Sequence, residues 1–178
     1  MLSSILEKYS SLRPQISSGD LILFHGTGIT ARLIQSCDNS YFNHVGIVVE
    51  SYGALFIVDS NSDGVQADRL SWRVKKYKGG DFSVLKPLAA VGEQMKLLLQ
   101  RSDEKWIRYD FFNGFKELLN RKFNLNLPIY LSDDRDICSS FVSAYAIGLE
   151  MVAFDFLKRK IAFPQDYFRY MKNAKLIG

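Results

Sequence analysis

Cysteine and histidine are scarce in this chain of 178 residues, which has only Cys37, Cys138, His25 and His44. Two thiols cannot staple a disulfide framework, and they fit a reducing compartment. The four residues do not suggest a zinc site either, because no two stand at the short intervals that metal ligands keep. No metal or other cofactor is expected. Apolar runs are short, and none approaches the ~18 residues of a membrane span. The opening Met-Leu-Ser-Ser-Ile-Leu meets Glu7 and Lys8 too early for the apolar core of a secretory leader. The expectation is a soluble, cytoplasmic protein.

What is present is ordinary for a globular chain: 47% apolar and 24% charged residues. That usage excludes disordered and collagen-like classes. The length predicts one domain, 1–178, with residues 1–15 as an N-terminal helical extension. The net charge of +4 is concentrated late. From Phe156 to Gly178, six basic residues against Asp166 leave +5, interleaved with Phe163, Tyr167, Phe168 and Tyr170. Such a tail suits a peripheral membrane contact, and it equally suits a C-terminal helix with a solvated face. Nucleic acid is not the expected partner.

Four prolines punctuate the chain. Helical spacing from Leu2 to Leu12 stops before Pro14. The turn Ser17-Ser18-Gly19-Asp20 leads into an apolar strand, Leu21 to Phe24. Ile29 to Cys37 has the spacing of a short helix. His44 to Glu50 and Leu55 to Asp59 flank Ser51-Tyr52-Gly53 and predict a β-hairpin. Gly64 to Ala67 adds a short strand, Leu70 to Tyr77 a helix, and Asp81 to Leu85 another strand. Val91 to Leu99, Tyr109 to Leu119 and Ile137 to Leu149 have helical periods, with Pro87, Pro128 and Pro164 at the breaks. Strands first and helices later predict an α+β fold with one antiparallel sheet.

Cys138 has the most informative setting. It follows Ser132-Asp133-Asp134-Arg135-Asp136, a polar turn rich in helix caps, and opens the predicted helix. Positions 138, 142, 145 and 149 share one face, so the thiol lies with Val142, Tyr145 and Leu149. The positive end of a helix dipole favours thiolate, the state a nucleophile needs. A buried inert cysteine is the bland alternative. Cys37, within a short amphipathic helix, is the poorer candidate.

His44 opens a strand whose one face carries 44, 46, 48 and 50, and Gly46 leaves space beside the imidazole. The hairpin returns residue 59, 60 or 61 opposite His44, and Asp59 is the natural carboxylate to hold a ring nitrogen. Glu50 shares the face but stands about 20 Å along an extended strand. His25 competes as the imidazole, although its Gly26-x-Gly28 fragment is too short for a phosphate loop.

In order, the chain carries Gly19-Asp20-Leu21-Ile22-Leu23, Asn43-His44-Val45-Gly46-Ile47-Val48-Val49-Glu50, Ile57-Val58-Asp59-Ser60, Tyr109-Asp110-Phe111, Cys138-Ser139 and Phe163-Pro164-Gln165-Asp166. This series, covering about residues 19 to 170, resembles the circularly permuted NlpC-type papain-like family, in its YiiX-like branch related to lecithin:retinol acyltransferase-like proteins. The resemblance implies a permuted papain-like fold: an antiparallel sheet or barrel packed against helices, with the nucleophile at a helix N-terminus. It implies a cysteine amidase, peptidase or acyltransferase working through a thioester, with Cys138 as nucleophile, His44 as base and Asp59 orienting His44. Tyr109 falls on the family's tyrosine-aspartate motif and borders the implied site, where a phenol could serve as an oxyanion donor.

The histidine precedes the cysteine by 94 residues, the order a permutation implies. Two departures bear on substrate class. The family's third position is commonly Glu-Ala where this chain has Asp59-Ser60, and Cys138-Ser139-Ser140-Phe141 lacks the usual glutamate. The leading expectation is hydrolysis of peptide amides, including cell-wall-type peptides. The alternatives are acyl transfer or thioester hydrolysis on lipid acyl groups with the same pair, and a binding module on a decayed scaffold.

Overall fold

The computed structural model describes residues 4–61, 64–88, 108–109, 111–130, 135–136, 142–143, 163–169 and 174–178; at 108–109, 111–112 and 135–136 only the backbone is described. It has an α+β architecture built on an open antiparallel sheet. In chain order the elements are α1 (Ser4–Leu12), β1 (Leu21–His25), α2 (Ile29–Asp38), β2 (His44–Ser51), β3 (Ala54–Asn61), β4 (Gly64–Arg69), α3 (Leu70–Lys76) and β5 (Asp81–Pro87). There follow β6 (Arg108–Tyr109), α4 (Phe111–Phe123), β7 (Arg135–Asp136), α5 (Pro164–Arg169) and β8 (Ala174–Ile177). The six-stranded sheet runs β4-β3-β2-β1-β5-β8, while β6 and β7 form a separate parallel pair.

The β2–β3 hairpin turns through two residues, Tyr52 (φ 49°) and Gly53 (φ 71°). Two positive φ values in a two-residue loop match the right-handed twist of the flanking strands. The pairing that follows sets Ile47 against Val58 and Glu50 against Leu55.

Strand periodicity divides the apolar residues between the two sheet faces. One face carries Leu21, Leu23, Val45, Ile47, Val58 and Leu85, covered by Tyr167 of α5 and by Val142. The other carries Ile22, Phe24, Val48, Leu55, Ile57, Phe82 and Val84. It is covered by Ile5 and Tyr9 of α1 and by Leu70 and Val74 of α3. Residues 1–15, expected as an extension, thus supply core contacts through Ile5 and Tyr9.

Two expectations shift. Tyr109 belongs to β6, and the helix begins after it, at Phe111. The basic tail is not one helix: α5 is followed by β8, which pairs along β5. Of its aromatics, Phe163 and Tyr167 are buried. The predicted helix over 91–99 lies outside the described residues, and of 137–149 only Val142 and Ser143 are described, both helical. Among the described residues, no helix is long and apolar enough to cross a membrane.

Candidate functional site

Gly46 is the local reason the site exists. An added Cβ there would lie 2.6 Å from side-chain carbons of Ile57 and 3.0 Å from the Asp59 Cβ. The space anticipated beside His44 is therefore filled by β3, whose side chains lean across the missing one. The register that pairs Ile47 with Val58 continues to set Asp59 opposite Gly46 rather than opposite His44. Because Gly46 has no side chain, the carboxylate reaches diagonally along the face to the imidazole.

The contact is short and dry. His44 Nε2 stands 2.7 Å from Asp59 Oδ2, with Asp59 at 0% and His44 at 9% exposure. An ionised carboxylate can only accept, so against it the neutral ring carries its proton on Nε2 and presents Nδ1 as the basic nitrogen. The ring lies near two aromatics, Phe24 at 6.2 Å and Tyr77 at 6.3 Å between centroids.

The other oxygen of Asp59 is also engaged. Arg73 Nη2 donates to Oδ1 at 2.8 Å, and Asn61 Nδ2 reaches the same oxygen at 3.4 Å. Arg73, 7% exposed, also bridges to Asp68 Oδ2 at 3.0 Å. The periodicity of α3 held the signal for this residue: Leu70, Arg73, Val74 and Tyr77 make one stripe, with a guanidinium in an otherwise apolar row. A charge in that position needs buried partners, and β3 and β4 supply them.

The segment leading into His44 is clamped from several sides. Asn43 Oδ1 accepts from the Gly26 N–H, and Gln165 Oε1 accepts from the N–H groups of Tyr41 (2.8 Å) and Phe42 (3.2 Å). Gln165 and Asp166 belong to the Pro164-Gln165-Asp166 run. The Asp166 carboxylate caps the Phe163 N–H and pairs with Arg121 of α4, which also holds Asp38 of α2.

The other sequence candidates fall elsewhere or outside the description. His25 closes β1, stacked on Tyr41 at 4.1 Å, and its Nδ1 meets the Tyr41 carbonyl (2.7 Å) and the Gln35 amide rather than a carboxylate. Glu50 lies at the exposed far end of β2. Cys37 is half-buried, packed with Ile34 against Leu118 and Phe163. Cys138 and the Tyr109 side chain lie outside the described residues. The backbone of Tyr109 pairs with Asp136, two residues before Cys138, and β6 lies against β3 and β4.

No protein-family model matches the chain, and no curated protein does. Among solved structures, the crystal structure of metalloprotein YiiX from Escherichia coli O157:H7 superposes with a TM-score of 0.66 at 16% identity. The match covers 92% of this chain and 97% of that one. The chain has a YiiX-like fold. At this identity the likeness to YiiX is one of architecture, and the chemistry has to be argued from the side chains.

Proposed function

We propose that the protein is a cysteine-dependent amide hydrolase of permuted papain-like type. One observation carries the proposal: the buried hydrogen bond between His44 Nε2 and Asp59 Oδ2 at 2.7 Å, with Nδ1 as the nitrogen that can act as a base. An imidazole held in one tautomer by a buried carboxylate is what a thiol nucleophile requires of its partner. The pairing of Tyr109 with Asp136 supports the rest, because it ties the chain just before Cys138 to a strand lying against β3 and β4.

His44 and Asp59 lie on the sheet face covered by α1 and α3, whereas Val142 packs on the opposite face. His44 opens β2 at the end of the sheet, and the proposed mechanism requires the Cys138 thiol to reach it there. In the reaction, His44 Nδ1 takes the Cys138 thiol proton as sulfur attacks the carbonyl carbon. The C–N bond breaks, and the leaving amine takes that proton. Water then attacks the thioester, giving one proton to His44, which returns it to the departing thiolate. The phenol of Tyr109 is assigned to border the site.

YiiX is described as a metalloprotein. Among the described residues of this chain, no group of three His, Cys, Asp or Glu side chains could hold a metal ion. The acid on the imidazole is already matched by Arg73, a poor neighbour for a cation. The described donors, one imidazole and a carboxylate already paired with a guanidinium, do not fit a metal.

The test is thiol labelling. Iodoacetamide should modify Cys138 faster than a free thiol at neutral pH, and His44→Ala should slow it about 10²-fold or more. A Cys138 that labels at the ordinary rate, indifferent to His44, would overturn the proposal. Adduct mapping by mass spectrometry with peptide and acyl-lipid electrophiles then decides the substrate. Peptide adducts support the amidase, and lipid adducts alone would replace it with an acyltransferase.

A further inference from the structure

We propose that Arg73 is a positioning residue of this site, acting through Asp59 to hold His44 in the tautomer with its proton on Nε2. Asp59 has no exposure to water, so its charge can be balanced only from within the fold. A neutral Asp59 could donate to Nε2, and the neutral ring would then carry its proton on Nδ1, where no lone pair remains to take one from a thiol. Arg73 prevents this. Its Nη2 takes Oδ1 at 2.8 Å, supplies the countercharge, and leaves Oδ2 as the acceptor for His44. Asp68 holds the same nitrogen at 3.0 Å from β4, so the guanidinium is fixed between two strands rather than swinging with α3.

One feature separates this from ordinary structural pairing. The two carboxylate oxygens are divided, one to the cation and one to the imidazole, so that each partner fixes the orientation seen by the other. Lysine, a compact point charge, could supply the countercharge but not the planar geometry.

The catalytic consequence rests on the cysteine-hydrolase proposal, whereas the tautomer does not. The chain has two histidines, so long-range proton–nitrogen NMR spectra of the wild type and His25→Asn assign the His44 ring. The neutral ring should carry its proton on Nε2. Finding it on Nδ1 in the wild type would overturn the inference without any variant. Arg73→Met should move the proton toward Nδ1 and slow Cys138 labelling about 10²-fold, because the wrong tautomer offers no base. Arg73→Lys should keep Nε2 protonated and hold labelling within about tenfold of wild type, since the countercharge remains. A folded Arg73→Met protein with the wild-type tautomer would also overturn it. Labelling indifferent to His44→Ala would instead sink the hydrolase and leave the tautomer result standing.

Discussion

At the scale of single residues, the site depends on an absence, the missing side chain at position 46. Any Cβ there displaces Ile57 and Asp59, the first a core residue and the second the partner of His44. Gly46→Ala is therefore expected to cost about 1–3 kcal/mol, the usual range for overpacking a filled core. It should also loosen the His44–Asp59 bond. A lower urea midpoint with an unchanged slope checks the first effect, and slower Cys138 labelling checks the second. Asp59→Asn separates chemistry from packing, since it keeps volume but removes the ionised acceptor. Labelling should fall by a factor of 10² or more in a fold that remains cooperative by circular dichroism. His44, Asp59 and Gly46 could be read from the sequence because a period of two and a short hairpin bring them together. Arg73 is not singled out in this way, although it stands as a charge in an apolar stripe. Its partner is not visible in the sequence, because nothing in the spacing of α3 says which strand lies beneath it.

Among the elements, the β-hairpin and the strands around it could be recognised because each has enough residues to show its period. Strands β6 and β7 are two residues each and have no period to show. They exist only as a tertiary pairing, and for that reason Tyr109 reads as the start of a helix. Strand β8 is four residues at the sheet edge, and its register comes from β5 rather than from its own pattern. The junction before His44 shows the same dependence on distant chain. Gln165 of α5 accepts two N–H groups from Tyr41 and Phe42, across more than a hundred residues of sequence. Gln165→Ala leaves the buried Phe42 donor and the partly buried Tyr41 donor without their acceptor and is expected to cost about 1–3 kcal/mol. Hydrogen exchange should quicken at Tyr41 and Phe42 while the amides of β3 stay protected. Uniform loss of protection would mean that Gln165 supports the whole fold rather than the entry to β2.

For the whole molecule, the buried carboxylates away from the site give a pH dependence with a defined sign. Burial pushes the carboxyls of Asp20 and Asp38 above the usual range, against the pull of Lys86 on the first and Arg121 on the second, with the charge of Asp166 adding to the rise at Asp38. Asp81 goes the other way: burial raises it, but Lys8, the Phe82 N–H and the Tyr41 hydroxyl together outweigh burial and hold it below. A carboxyl raised in the folded state binds its proton more tightly folded than unfolded. Stability from Asp20 and Asp38 therefore grows as pH falls from neutral through their folded values, and the gain is complete below the ordinary value of about 3.9. Asp81 contributes stability above that ordinary value and loses it as pH falls through its lower folded value. The urea midpoint from these three groups should thus rise from neutral pH into mild acid and decline in stronger acid. The double variant Asp20→Asn, Asp38→Asn should lose the rise as pH falls from neutral toward about 4, even though it also loses the Lys86 and Arg121 pairs. Asp81→Asn should keep that rise and soften the decline. A double variant that retains the full wild-type rise would place its origin in other groups, and the helices that Asp38 ties together through Arg121 would then be held without a burial penalty on that carboxylate.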